Sequence, residues 1–539
     1  MKLKEALRWT ALWVVVSLVF SCSGNRFVVS TAEAEKDMVL AIEKYLSKCP
    51  EGKDCKVSLP PGKYLIDKTV ELKSNLKIVG DGETVLIADF VPTKNGGHPV
   101  TIFETPDVGV NNIVLSGITF DAQSGDRKRN ISLAEETRNT LRFCNSKNIV
   151  VTDCVIKGHY SNIPAPYKSA PIEKIRGSVG VSIEFCENIS LLNVDLREMQ
   201  NEAIWFWRSK NIVINEMNSS GNGRLSTHLS FWYCNGVDVE NSRFSYAKGG
   251  GSAINCESSN VKIGNNSFQG GRGIDLSNEG KFEPYTSRNV EVSNNVLNDV
   301  SFYGIMRNRT ETTLENLKIK NNDILIDGST GKLKNVKVFG IKTDDSRNAL
   351  VTQNNIRFHN HKESNKYIAF GSFGFDEENT RIHDNDVIDA SYLYWGSTYV
   401  GNKDGVQIIG NRCELINSPG QKAAILVENG GRAKPDKHFY DFKVSRNRVV
   451  GGNKGTFVKM SSDVPGVVFD FSIEDNQFNE VVPRVVIEGE YLQVSGTIKV
   501  EKRSAKLAEI LDMNKAGKQS VIRLIQGKQK KTIMNSIPR

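Results

Sequence analysis

The sequence predicts an all-β chain wound as a solenoid of stacked parallel coils with an N-terminal capping helix, and three observations carry that prediction. One phrase recurs from about residue 110 onward: an apolar strand, a polar corner and a second strand. It is seen in Val261-Lys262-Ile263-Gly264-Asn265-Asn266-Ser267-Phe268, Leu317-Lys318-Ile319-Lys320-Asn321-Asn322-Asp323-Ile324, Thr380-Arg381-Ile382-His383-Asp384-Asn385-Asp386-Val387 and Phe471-Ser472-Ile473-Glu474-Asp475-Asn476-Gln477-Phe478. The phrase keeps one register, with Asn266, Asn295, Asn322, Asn354, Asn385, Asn411, Asn447 and Asn476 at the equivalent corner position and Ile118, Cys154, Val194, Met217 and Ser242 in the earlier copies. These positions lie from 23 residues (Val194 to Met217) to 40 residues (Cys154 to Val194) apart. Such periods, with period-2 strands divided by Gly, Asn and Asp, mark a β-solenoid. The Asn column is expected to sit in left-handed corners and to hydrogen-bond from coil to coil.

The elements follow in chain order. Met1 to Ser21 reads as a signal peptide, with Lys2, Lys4 and Arg8 ahead of an apolar run from Trp9 to Phe20 too short to span a bilayer comfortably. Residues 22–56 form an N-terminal segment in which Met38, Val39, Ala41, Ile42, Tyr45 and Leu46 share one helical face, suited to plugging the open end of a solenoid core. Cys49 and Cys55 are spaced to close a small disulfide loop in an oxidising compartment. The cysteines at 144, 154, 186, 234, 256 and 413 read as buried packing residues, since Phe143-Cys144, Phe185-Cys186 and Tyr233-Cys234 each sit just before a strand pattern, and the absence of a CxxC pair speaks against zinc. Residues 57–501 are the solenoid, and 502–539 a basic tail in which Leu507, Ile510 and Leu511 suggest a second capping helix. Long copies place insertions near 122–140, 159–179 and 428–437.

Two stretches resemble known families. Val19-Phe20-Ser21-Cys22 resembles the lipobox of bacterial lipoproteins, which implies lipidation at Cys22, and Ser23 after it implies the outer membrane. Val57-Ser58-Leu59-Pro60-Pro61-Gly62-Lys63-Tyr64-Leu65-Ile66, followed by Leu76-Lys77-Ile78-Val79-Gly80-Asp81-Gly82, is similar to the first coils of the pectate-lyase-like superfamily. That resemblance covers roughly residues 34 to 500. It implies a single-stranded right-handed parallel β-helix acting on a polysaccharide laid along one outer strand face. The Asn-Thr-Asp, Gly-His-Gly and Arg-Ile-Lys set of the polygalacturonases, the Asp-Pro-His of the mannuronan epimerases and the Lys and Arg constellation of the chondroitinase B-like lyases are missing, so the fold does not settle the chemistry.

If Ile204 and Phe206, Leu229 and Phe231, Ile254 and Cys256, and Ile274 and Leu276 point inward, alternation sends their neighbours out. The outward set is then Trp205 and Trp207; His228, Ser230 and Trp232; Asn255 and Glu257; Asp275 and Ser277; Met306 and Asn308; Lys342 and Asp344. Trp207 and Trp232 suit a sugar-stacking platform or packing beneath loops. Glu257 and Asp275, one coil apart, can act as acid and base, or together bind calcium. Lys342, with Arg272, Arg307 or Arg309, can neutralise a uronate carboxylate for β-elimination. The plainer alternative for each of these charges is a solvated strand face. His359 and His361 read as solvated, and the Gly-rich stretches 249–251 and 270–273 as corners rather than phosphate loops, since neither opens a helix.

The function expected is therefore an exported polysaccharide lyase, with a glycoside hydrolase, an epimerase or a non-catalytic glycan-binding or cell-surface protein as alternatives. The expected partners are a polysaccharide and, through the lipid, a membrane, with no nucleic acid and a monomeric state. Collagen-like, mucin-like and wholly disordered chains are excluded by a 39% hydrophobic content without short-period bias. The net charge of +8 is no sign of an acidic substrate. Lys502 to Arg539 holds ten Lys and Arg against Glu509 and Asp512, so this tail alone carries the excess, and Lys528, Lys530 and Lys531 are placed to touch anionic lipid or glycan.

Overall fold

The computed structural model describes residues 24–89, 101–122, 139–158, 179–246, 251–277, 285–307, 312–329, 336–374, 376–397, 401–418, 421–429, 437–452, 455–464, 466–479, 484–489, 492–500, 510–513, 520–526 and 529–535. They fall into two compact units, residues 1–219 and 220–539, each taken by itself below. The lipidation position Cys22, Asn308, Arg309 and most of the three expected insertions lie outside the described residues.

The first unit opens with the helix Thr31–Lys48, begun by a capping box. The Ser30 hydroxyl accepts from the Glu33 N–H at 3.3 Å, and the Glu33 carboxylate accepts from the Ser30 N–H at 3.1 Å, which satisfies two otherwise orphaned donors. Ala34, Met38, Val39, Ala41, Ile42 and Leu46 are buried, and the helix packs on the strands Gly62–Ile66, Cys55–Ser58 and Val70–Glu71 as a plug. Tyr45 stays half-buried, stacked on Phe27 at 5.4 Å. A disulfide joins Cys49 and Cys55, with Cα atoms 5.7 Å apart. The free cysteines among the described residues are all buried, as packing residues should be.

Each coil contributes three strands in turn. In the first unit Val70–Glu71, Phe103–Glu104, Leu141–Cys144, Val181–Glu184 and residues 204–207 make one parallel ladder. Cys55–Ser58, Leu76–Ala88, Asn111–Asp121, Lys147–Thr152, Glu187–Leu192 and Lys210–Asn215 make the next. The second unit repeats the plan. Its first ladder runs through residues 227–232, Ser252–Gly264, Arg272–Asp275, Tyr303–Arg307, Lys337–Thr343, Lys366–Ser372, Tyr392–Gly396 and Ile425–Asn429. These stacked, fully parallel strands around an apolar interior are the parallel β-helix that the repeats predict.

The Asn column is a hydrogen-bonded ladder at the corner between the second and third strands. The backbone N–H and the Nδ2 of Asn354 both donate to Asn385 Oδ1, at 2.9 and 3.0 Å, and Nδ2 also reaches the Ile319 carbonyl at 3.0 Å. The conformation expected there is displaced by one residue. Positive φ belongs to the preceding positions, Asn265, Asn294, Asn321, Gln353, Asp384, Arg446 and Asp475, and the left-handed turn made there aims the next amide inward. A second, exposed Asn ladder at the other corner was not read from the sequence. Asn235, Asn260, Asn289, Asn316, Asn348 and Asn379 are linked Nδ2 to Oδ1 at 2.7 to 3.3 Å, and all but Asn235 have positive φ.

The C-terminal region departs from the expected appendage. Ser520–Gln526 adds in parallel to Gln493–Val500, and Gln529–Asn535 folds back antiparallel on it. The ladder thus extends past residue 501, and the return strand covers an edge that would otherwise be open to pairing. Leu511, expected on a helix, lies in the strand Leu511–Asp512 on Arg484–Glu488. Lys530 and Lys531 are exposed on the return strand, while Leu507 and Lys528 lie outside the described residues.

Candidate functional site

In the second unit, register places Ser230, Asn255, Asp275, Met306, Lys342, Gly371 and Trp395 in one column, one residue per coil. This is the outward column that alternation predicts. Asn255, Asp275 and Met306 are partly exposed, Lys342 is 7% exposed and Ser230 is buried. Beside it run Ser252, Arg272, Tyr303 and Phe339 on one flank, and Trp232, Glu257, Ser277, Asp344 and Phe373 on the other.

His228 does not share this face, which corrects the expectation. Its ring lies 4.4 Å from Tyr246 and 5.5 Å from Phe244, fully buried, and burial pushes its pKa down to about 3, so it is a neutral packing residue. The physical reason is a bend. Between flanking register pairs, His228 falls level with Ala253, Gly273, Gly304 and Gly340, and each is followed by an aliphatic residue that also points inward. A Cβ on Gly304 would meet Ile324 Cγ2 at 2.5 Å, and one on Gly340 would meet Ile356 Cγ2 at 2.8 Å, both core side chains. Two successive inward residues break the period-2 rule. The repeated dipeptides Ala253-Ile254, Gly273-Ile274, Gly304-Ile305 and Gly340-Ile341 were the signal.

Arg307 also points inward. It is fully buried and donates to the Leu276 carbonyl at 2.7 Å and to the Thr312 carbonyl and hydroxyl at 2.8 and 2.9 Å. The Thr312 hydroxyl in turn donates to Glu257 Oε1 at 2.9 Å, and Glu257 is itself fully buried, with burial raising its pKa. This Arg307, Thr312 and Glu257 chain closes the turn behind the face. Trp205 and Trp207 belong to the first unit and are buried, with ring centroids 5.5 Å apart. Trp232 is in the second unit and partly exposed.

Asp275 is the chemically distinctive group. Its Oδ1 accepts from the Ser277 N–H at 2.9 Å and from the Ser277 hydroxyl, yet burial wins over these bonds and raises its pKa to about 6. Tyr303, which the sequence reading missed, hydrogen-bonds Ser252 through its hydroxyl at 2.6 Å. Burial, then the nearby Asp275 charge, raise its pKa and keep the phenol protonated. Arg272 is exposed, with its guanidinium 5.2 Å from the Phe302 ring. Lys342 pairs with Asp344 Oδ2 at 2.7 Å, and Asp344 Oδ1 accepts from the Phe373 N–H at 2.7 Å.

Calcium takes six to eight oxygen ligands. Glu257 is engaged by Thr312 and faces Arg307, Asp275 is engaged by Ser277, and among the described residues no three His, Cys, Asp or Glu side chains converge. These residues do not fit the ion, and no step is routed through one.

With this geometry in place, one comparison bears on architecture, a family model. Residues 168–324 match the family model described as "Right handed beta helix region", in line with the handedness expected above. No curated protein matches. Among solved structures, the chain is similar to an N-terminal fragment of bacteriophage phi29 gene product 12, at 12% identity, 99% coverage of both chains and TM-score 0.46. It is similar to PfbA, a surface adhesin of Streptococcus pneumoniae, at 14% identity, 94% coverage of both chains and TM-score 0.35. It is also similar to the tailspike of E. coli bacteriophage HK620 in complex with a pentasaccharide, at 12% identity, 90% of this chain, 76% of that one and TM-score 0.44. Likeness at this level carries no argument about fold or activity.

Proposed function

We propose that the chain is an exported polysaccharide lyase that cleaves a uronate-containing glycan by β-elimination on the outward face of the second unit. The carrying observation is Asp275, a half-buried carboxyl with a pKa of about 6, set among Arg272, Tyr303 and Lys342. In this mechanism Arg272 stabilises the uronate carboxylate and the enolate formed from it, while Lys342, two coils on and paired with Asp344, faces a neighbouring unit of the chain. Asp275, ionised above pH 6, takes the proton from the carbon next to that carboxylate. The freed electron pair forms the ring double bond, the bond to the glycosidic oxygen breaks, and Tyr303 returns a proton to that oxygen.

A hydrolase needs a second presented carboxyl. Glu257 is engaged behind the face, and Asp344 is occupied by Lys342 and Phe373, which favours elimination. Export is supported by the signal-like N-terminus and by the Cys49 and Cys55 disulfide, and lipidation at Cys22 by the lipobox-like stretch. The test is incubation with polygalacturonate, alginate and glycosaminoglycans, reading ultraviolet absorbance of unsaturated ends alongside reducing ends. A lyase raises both, with a rate that climbs through about pH 6 and falls at least 100-fold in Asp275→Asn. A rise in reducing ends alone makes it a hydrolase, and neither rise makes it a binding protein.

A further inference from the structure

Further along the same face, three lysines converge on three aromatic rings. Lys337 Nζ lies 4.3 Å from the Phe373 ring and 4.0 Å from Trp395. Lys366 Nζ lies 5.0 Å from Trp395, and Lys342 Nζ 5.7 and 5.9 Å from Phe339 and Phe373. Trp395 is seated on Ile368, Tyr392 and Leu426, so the platform is fixed by the core. Gly371 makes room for it, since a Cβ there would meet the Phe339 ring at 2.7 Å and the Phe373 ring at 3.2 Å.

The charges in this cluster are unbalanced. Lys342 is answered by Asp344, and nearby Lys422 by Glu428 at 2.7 Å. Lys337 and Lys366 have no carboxylate in salt-bridge contact among the described residues. Lys337 is exposed as a residue, but the rings packed around its ammonium group desolvate it and, together with Lys366, Lys342 and Lys422 and against Glu428, bring its pKa down to about 8. Ammonium groups held together without counter-charge are costly until an anion arrives. Phe339 and Phe373 stay partly exposed beside them, offering ring faces to the C–H side of a sugar.

We infer that Lys337 and Lys366, held over the buried Trp395, form with the partly exposed Phe339 and Phe373 a binding subsite for an anionic sugar unit, its carboxylate or sulfate held by the two ammonium groups while its ring rests on the two phenyl rings. Trp395 stands in the Asp275 column four coils further on, at about 4.8 Å per coil, so the subsite would hold the glycan as far as roughly 19 Å from the reacting bond. The inference rests on the outward-face reading above, and it fixes the substrate class as a glycan charged at more than one unit.

The experiment is calorimetric titration of the full chain carrying Asp275→Asn, so that turnover does not consume the probe. The probes are a polygalacturonate hexamer, a heparin hexasaccharide and neutral cellohexaose. The expected result is binding of at least one charged probe, weakened by added salt and at least tenfold by Lys337→Gln with Lys366→Gln, with cellohexaose weaker still. Preference for the first probe assigns a carboxylate, and for the second a sulfate. Equal binding of cellohexaose, an effect of the two Lys substitutions below twofold, or no binding of either charged probe overturns the inference. The lyase reading fails separately, through the product assay with the wild-type chain, whatever the lysines do.

Discussion

At the corner between the second and third strands, the first unit buries Ile118, Cys154, Val194 and Met217, each 1% exposed, whereas the second buries Asn266, Asn295, Asn322, Asn354, Asn385, Asn411 and Asn447 at 1 or 2%. The backbone path is shared, yet the chemistry is opposite. An apolar column asks nothing of its neighbours beyond shape. An amide column works only as an unbroken run, because each buried Oδ1 is satisfied by the coil before it and each Nδ2 by the coil after it. Entry to the run is graded: the Ser242 N–H donates to Asn266 Oδ1 at 2.9 Å while the Ser242 hydroxyl turns to the Glu240 carbonyl at 2.8 Å. A polar core column is therefore a cooperative feature of the second unit, and register there is specified by hydrogen bonds as well as by packing.

The sharpest way to break that comparison is Asn354→Leu. It removes the Nδ2 donor to Asn385, Ile319 and Thr352, strands the Asn322 N–H, which donates to Asn354 Oδ1 at 3.1 Å, and takes from Asn322 Nδ2 its 2.9 Å bond to the same oxygen. The expected loss is about 3–4 kcal/mol, read as a lowered denaturant midpoint, because buried partners are left unsatisfied. A loss below about 1 kcal/mol would mean the ladder adds little beyond filling space.

The reciprocal change, Val194→Asn, tests the apolar column and should cost less, about 2 kcal/mol, by placing one amide between Cys154 and Met217 with no ladder to join. Adding Met217→Asn should recover part of that cost, since Val194 and Met217 hold consecutive positions within the first unit. Strict additivity of the two substitutions would show that two amides do not make a ladder.

Much of this architecture was legible in residue order, and the reasons differ by element. The repeat phrase exposes the coil because the same strand, corner and strand must be encoded every time the chain goes round. The helix is legible because Ser30 and Glu33 bracket its start and its apolar face keeps a helical period. Side-chain direction was less legible. Asn255 and Asp275 are partly exposed in the column that alternation sends out and Lys342 is buried in it, while alternation carried His228 outward across a bend that only the small residues at 253, 273, 304 and 340 betray. Arg307 escaped for another reason: a charged residue on an inward position is acceptable only when Leu276, Thr312 and Glu257 meet it, and those partners come from three separate strands or loops. The platform of Phe339, Phe373 and Trp395 is assembled from three successive coils, so no local pattern announces it.

The smallest expected effect contrasts the ladder amides with an acid of the same unit whose pKa burial raises. Asp275 has a folded pKa of about 6 against its ordinary 3.8, so the folded chain holds that proton more tightly than the unfolded chain. Between about pH 4 and pH 6 the folded state binds more protons, and stability from this group falls as pH rises, with the full cost present above pH 6. Asp275→Asn cannot ionise and escapes that cost. Relative to wild type it should gain on the order of 1 kcal/mol between pH 4 and pH 7.5 while losing turnover. Midpoints of both chains at the two pH values read the difference directly. If the gap between them stays flat with pH, the carboxyl is not held protonated by its surroundings, and its selection as the proton-transferring group loses its physical basis.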